Sequence, residues 1–164
     1  MDGRPWRLVH LRDIPSDNHL RTDDAAVEAA RTELERGGHP TFPDYPLPRG
    51  RWHAIRTYLG ITAFGVAATE AGEGESLIWP HTEAHYGHEE LYLVLEGRAR
   101  FLFDDGGDME VGTHELLFVR PNVGRGAIAL ETPTVLFIVG GKPDQYEPPV
   151  WANDWRPPGA SLDS

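Results

Sequence analysis

The chain has 164 residues, 40% of them hydrophobic and 25% charged, the range of one soluble globular domain that buries its core without cross-links. With 15 Lys and Arg against 26 Asp and Glu, the net charge is −11, which repels polyanions and argues against nucleic acid as a partner. Cysteine is absent, which excludes disulfides, thiolate metal sites and a cysteine nucleophile, and suits a reducing compartment.

The opening MDGRPWRLVH holds no apolar stretch of the signal-peptide kind, and the longest strongly apolar run, Val135 to Val139, is too short to span a bilayer. The expectation is therefore a cytoplasmic protein with no membrane partner. Residues 1–21 carry no clear period. TDDAAVEAARTELER, residues 22–36, predicts a helix. Thr22 can cap it, Asp23 and Asp24 suit the positive end of its dipole, and Gly37 can close it. Its thin apolar stripe of Ala26, Val27, Ala30 and Leu34 predicts contact with a sheet or a neighbouring subunit. The following GGHPTFPDYPLPRG, with four prolines and three glycines, reads as an extended connector.

From Arg51 onward the sequence breaks into short β-rich runs separated by Gly and Pro. Strands are predicted near residues 52–59, 61–69, 76–81, 89–96, 98–104, 115–120, 126–131 and 134–139. Such spacing without intervening helical periods predicts an all-β antiparallel barrel or sandwich. Asp104-Asp-Gly-Gly-Asp108 lacks calcium-loop spacing and reads as a hairpin turn. Beyond Lys142, Pro alternates with aromatic residues, predicting an extended tail anchored by Tyr146, Trp151 and Trp155. The division is thus an arm over 1–51, a barrel over 52–142 and a tail over 143–164.

The chemistry concentrates between His81 and Gly97, HTEAHYGHEELYLVLEG. His81, Glu83 and His85 alternate at period two, which on a strand would set all three on one face, roughly 6–7 Å apart. In the next strand Glu90, Tyr92 and Val94 share one face, and Leu91, Leu93 and Leu95 the other. Imidazole and carboxylate groups from two adjacent strands make a candidate divalent-metal site.

These residues resemble the cupin superfamily. Its first motif runs His-x-His, three or four residues, Glu, six residues and Gly. Glu90 and Gly97 match its second half, and EELYLVLEGRARF reads like the family's strand-turn-strand. Counting back puts the second His on His85 and Glu83 in place of the first; an alternative register makes His81-x-Glu83 the pair, with a longer loop after it. GTHELLFVRPNVGRG resembles the second motif, but Arg125 or Gly126 stands where the family's third metal-binding His is expected.

The resemblance implies a double-stranded β-helix, or jelly roll, over roughly residues 72–140, with a ligand cavity inside the barrel. It implies Glu83, His85 and Glu90 as catalytic candidates, and His81, Glu83, His85 and Glu90 as ligands of one divalent metal: manganese, iron, nickel or zinc. Tyr92, Arg125, Phe101 and Trp79 are the candidate substrate-binding residues, with Arg125 facing Glu83, Glu90 or a substrate carboxylate. Without metal, Glu83 and Glu90 would be two carboxylates in a partly apolar cavity, where repulsion and desolvation raise one pKa towards neutrality. The implied function is a small-molecule enzyme of isomerase, cyclase, decarboxylase or dioxygenase type; the alternatives are a ligand-binding or sensing protein and a dimerisation module. A homodimer is expected, because the barrel has edge strands to cover.

Overall fold

The computed structural model describes residues 7–17, 28, 32, 36, 40, 42–46 and 50–146. Among them ten strands form: β1 (Ser16–Asp17), β2 (Arg51–His53), β3 (Gly65–Ala71), β4 (Ser76–His81), β5 (Glu89–Glu96), β6 (Arg98–Phe103), β7 (Asp108–Gly112), β8 (Leu116–Val119), β9 (Arg125–Ala129) and β10 (Thr134–Gly141). They make two antiparallel sheets, β1-β2-β3-β10-β5-β8 and β4-β9-β6-β7. This is the all-β jelly roll expected from the sequence.

Alternation along each strand builds the core between the sheets. Tyr92 and Val94 of β5, Ala99 and Phe101 of β6, Ala127 and Ala129 of β9 and Leu136 of β10 are all at most 1% exposed. The opposite face of the larger sheet has its own core: Val66 and Ala68 pack with Ile14 and Ile55, flanked by Phe137 and Val139. At the β5–β6 turn the chain needs Gly97. Its φ is +75°, and a Cβ there would come within 2.6 Å of the Pro133 carbonyl oxygen.

The strand pattern differs in places from the one expected. Ile55–Leu59 is helical rather than strand: Gly60 adopts φ +72° and closes the turn onto the Arg56 and Thr57 carbonyls, while Ile55 is drawn into the second core. β3 accordingly begins at Gly65. β7 is an additional strand, unread because its Asp108, Met109 and Glu110 are exposed on an edge and show no alternation. The helix expected over 22–36 falls almost wholly outside the described residues; Glu28, Thr32 and Arg36 are helical, with the Thr32 hydroxyl donating to the Glu28 carbonyl at 3.0 Å. Trp151 and Trp155 also lie outside them, while Tyr146, expected as an anchor, is 75% exposed. No helix among the described residues is long and apolar enough to cross a membrane.

A tyrosine of the connector fastens the smaller sheet from outside. Tyr45 is buried, and its hydroxyl contacts the carbonyl oxygens of Ile78 on β4 and Ala127 on β9, the latter at 2.7 Å. The β4–β9 register shifts on both sides of Ile78. Gly126 makes room for the ring, since a Cβ there would lie 2.9 Å from it. This strand pair carries two residues of the site, because His81 and Arg125 are register partners.

Candidate functional site

β4 ends at His81, so the period-two alternation stops before it reaches His85. Residues 82–88 turn instead: the Tyr86 and Gly87 amides both donate to the Glu83 carbonyl, at 3.0 and 2.7 Å, and Gly87 takes φ +70°. Thr82 pins the turn to β8's exit by donating to the Pro121 carbonyl at 3.0 Å. The turn directs Glu83 inward and leaves His85 exposed, edge-on to Tyr86. His85 therefore stands outside the group of converging donors, and of the two registers left open by the sequence it is His81 with Glu83 that the structure brings together.

His81, Glu83 and Glu90 do converge, each partly buried and each offering one ligand atom within 4.8 Å of the others. His81 Nε2 lies 3.6 Å from Glu83 Oε1 and 3.7 Å from Glu90 Oε2. His81 Nδ1 is 2.6 Å from the Trp79 carbonyl oxygen, an acceptor, so a ring proton belongs on Nδ1, and Nε2 is the atom that faces the two carboxylates. A second proton on Nε2, or a cation among the three groups, relieves that arrangement. His88 completes the group, its Nδ1 3.0 Å from Glu83 Oε2. Sequence reasoning missed His88, although it lies two positions before Glu90 and so shares its strand parity.

Glu90 has a second set of partners. Arg125 on β9, 0% exposed, pairs with Glu90 Oε2, donates from Nε to the Tyr92 hydroxyl at 3.2 Å and from its other nitrogen to the Val123 carbonyl at 3.1 Å. The Tyr92 hydroxyl donates to the same Glu90 oxygen. Of the partners left open by the sequence, Arg125 thus takes Glu90. Fully buried, it positions that carboxylate and has no surface to offer a substrate.

Burial alone would push the Glu90 carboxyl up. The nearby His81 imidazole, the charge of Arg125 and the bonds from Tyr92 and Arg125 outweigh it and hold the pKa at about 2. Glu90 is therefore an ionised acceptor at neutral pH rather than a carboxyl raised towards neutrality. Burial and the Glu90 charge push the Tyr92 phenol up, so it stays protonated and donating.

Phe101 is 0% exposed with its ring centroid 5.0 Å from that of Tyr92, which makes it core beneath the site rather than a ligand contact. Trp79 is partly buried, and its indole N–H is buried without a hydrogen-bond partner among the described residues. Beside Glu90 and His88 opens a cavity of about 140 Å³, lined also by Trp52, Gly65, Ala67, Ile138 and Gly140. A larger cavity of about 330 Å³ lies away from this group, lined by His10, Arg12, His53 and Glu70 among others.

The separations suit a metal. Two donors each about 2.1 Å from one ion stand between about 3.0 and 4.2 Å apart, depending on their angle, and those to His81 are 3.6 and 3.7 Å. His81 with its Nδ1 hydrogen-bonded to a carbonyl also has the orientation of a metal-bound imidazole. His81, Glu83 and Glu90 therefore fit a divalent ion as an N,O,O set.

No family model matches the chain. A curated relative, an L-cysteine:1D-myo-inositol 2-amino-2-deoxy-alpha-D-glucopyranoside ligase from Streptosporangium roseum, is 34% identical over 93 residues, 52% of this chain. The chain spans only 23% of that protein's length. Among solved structures, the polyketide cyclase RemF from Streptomyces resistomycificus is similar over 82% of this chain and 78% of its own, at 21% identity and a TM-score of 0.53. A cupin protein from Bacteroides fragilis is similar over 73% of this chain and 97% of its own, at 16% identity and a TM-score of 0.53. The cupin resemblance read from the sequence is thus supported, and the shared feature is the jelly-roll fold.

Proposed function

We propose that this chain is a small-molecule enzyme of the cupin type, acting on an organic substrate at the mouth of the barrel. The observation that carries this reading is the convergence of His81, Glu83, His88 and Glu90, all partly buried, beside a cavity. Four ionisable groups drawn together inside a barrel are costly to a scaffold, which supports a chemical or binding role.

The division of labour follows from the geometry. Arg125 and Tyr92 lock Glu90 as a carboxylate, so it serves as an acceptor or ligand and cannot supply a proton at neutral pH. Glu83 and His88, 3.0 Å apart, form a pair able to take a proton from substrate and hold it. His81, Glu83 and Glu90 would hold a divalent ion, which supplies Lewis acidity towards a substrate oxygen. Manganese, iron, nickel and zinc all accept such an N,O,O set. The reading places the protein in the cytoplasm as a homodimer, consistent with Leu91, Leu95, Leu116 and Phe118 standing 39–62% exposed on β5 and the edge strand β8.

Calorimetric titration of chelator-treated protein with each of these ions, followed by elemental analysis, tests the metal. Saturable binding lost in Glu83→Ala supports it; no binding by any of the ions leaves the Glu83–His88 acid–base pair as the chemistry. A specific observation favours a non-catalytic ligand binder as second reading: Glu90 Oε2 is already committed to Arg125 and Tyr92.

A further inference from the structure

The cavity beside Glu90 has a shape that the register of the larger sheet dictates. Gly140 of β10 stands opposite both Gly65 of β3 and Glu90 of β5, so one row across three strands reads Gly-Gly-Glu. The row spans about 10 Å at the usual strand spacing. On the barrel side two of its three positions carry no side chain, and bare backbone forms a flat floor that ends at the Glu90 carboxylate. The next row on β3 adds only Ala67.

The wall comes from a residue far away in sequence. Trp52 of β2 pairs with Thr69, which shares strand parity with Gly65 and Ala67, so its side chain emerges on the same face of the sheet. Trp52 lines the cavity and is 45% exposed. The carboxylate end is equally specific. Every hydrogen bond and ion pair found for Glu90 uses Oε2. Oε1 is turned to the floor, 3.6 Å from where a Cβ on Gly140 would sit.

We infer that this slot takes a single planar ring bearing a hydroxyl or N–H donor, with its face against Trp52, its edge over Gly65 and Gly140 and its donor on Glu90 Oε1. The inference rests on the reading of the barrel mouth as a small-molecule site and narrows it to a substrate class. Size suits one ring: a closed cavity of about 150 Å³ holds benzene, and this one, open on one side, measures about 140 Å³. Flatness decides for a planar one, because an indole face gains most from a stacked π-system. Charge decides for a neutral donor, because Tyr92 and Arg125 both donate to Glu90, which makes it an acceptor that takes an O–H rather than an anion. Trp79, a candidate substrate-binding residue in the sequence, does not line this cavity; Trp52 does.

The probes are phenol and cyclohexanol, which share a hydroxyl and ring size but differ in planarity. Their affinities are measured by ligand-observed NMR on the full chain treated with chelator, for the native protein, Trp52→Ala and Gly140→Ala. The alanine at 140 fills the floor without upsetting the fold, since its Cβ would stand 3.4 Å from Glu90 Cγ, ordinary contact. Phenol binds, cyclohexanol binds at least about tenfold more weakly, and each variant weakens phenol by about tenfold or more. The inference is overturned if phenol does not bind, if cyclohexanol binds equally, or if either variant leaves phenol binding unchanged. Metal titration of the same samples separates the two readings: metal bound but phenol ignored overturns the ring site alone. Phenol held by Trp52 in a protein that takes no metal supports the ring site and removes the metal.

Discussion

Replacing Arg125 with methionine removes the charge that faces Glu90 while keeping most of the side-chain length. In the native fold Arg125 is 0% exposed and the Glu90 side chain only 14%, so the variant leaves a carboxylate in a largely dry site without its cation. The Glu90 pKa of about 2, against an ordinary 4.5, measures how strongly the site favours the ionised form. At about 1.4 kcal/mol per unit the whole set of partners contributes roughly 3 kcal/mol at neutral pH. Breaking a buried pair on one side costs about 3–5 kcal/mol, so Arg125→Met should lose about 3 kcal/mol, or roughly 6–12 °C in Tm for a chain of this size.

The sign with pH is fixed by the direction of the shift. A folded pKa below the unfolded one stabilises the protein above pH 4.5, and that contribution drains away as pH falls towards about 2. In the variant burial opposes ionisation, so its deficit against the native protein should be largest at pH 7 and should shrink as pH falls through 4.5. Urea denaturation between pH 3 and 7, on native, Arg125→Met, Glu90→Gln and the double variant, measures all of this. The double variant should regain part of the loss, because neither charge is then stranded. A loss below about 1 kcal/mol at pH 7, or no recovery in the double variant, would refute the reasoning.

Glu83→Ala and Glu90→Ala should each weaken divalent-metal binding by about 10–100-fold or abolish it in calorimetric titration, whereas His85→Ala should leave it unchanged. Arg125→Ala should leave metal affinity unchanged or raise it, since a positive charge beside Glu90 opposes a dication. Tyr45→Phe should cost about 1–3 kcal/mol in urea denaturation, because the buried carbonyl of Ala127 loses its donor. Sedimentation should find a dimer, and Phe118→Glu, on the exposed edge strand, should shift it towards monomer; a native protein that stays monomeric at high concentration would remove that expectation.

The fold was legible because its signals are local. Alternation in EELYLVLE sorts Tyr92 and Val94 inward and Leu91 and Leu95 outward without reference to any other strand. Gly97 is demanded by its own φ, and the punctuation of turns set most strand limits. Where local preference and packing disagreed, packing won: Ile55, Thr57 and Tyr58 favour strands, yet the second core and the Gly60 cap make them a helix. The acidic row of the site was legible only in part, since spacing pointed equally to His81 and His85, and a strand end at His81 is invisible to periodicity.

By itself the sequence determined a jelly roll, an acidic surface and a short stretch rich in His and Glu at one strand end, because hydrophobic alternation and turn chemistry act between near neighbours. Tertiary structure alone decided which groups meet. Arg125 reaches Glu90 across 35 positions, and Trp52 shares a cavity with it across a comparable span. Tyr45 bonds to Ala127 over 82. Whether Glu90 is acid or carboxylate depends on the cation buried against it. That choice is electrostatic, acting through a few ångströms of space, and separation along the chain carries no record of it.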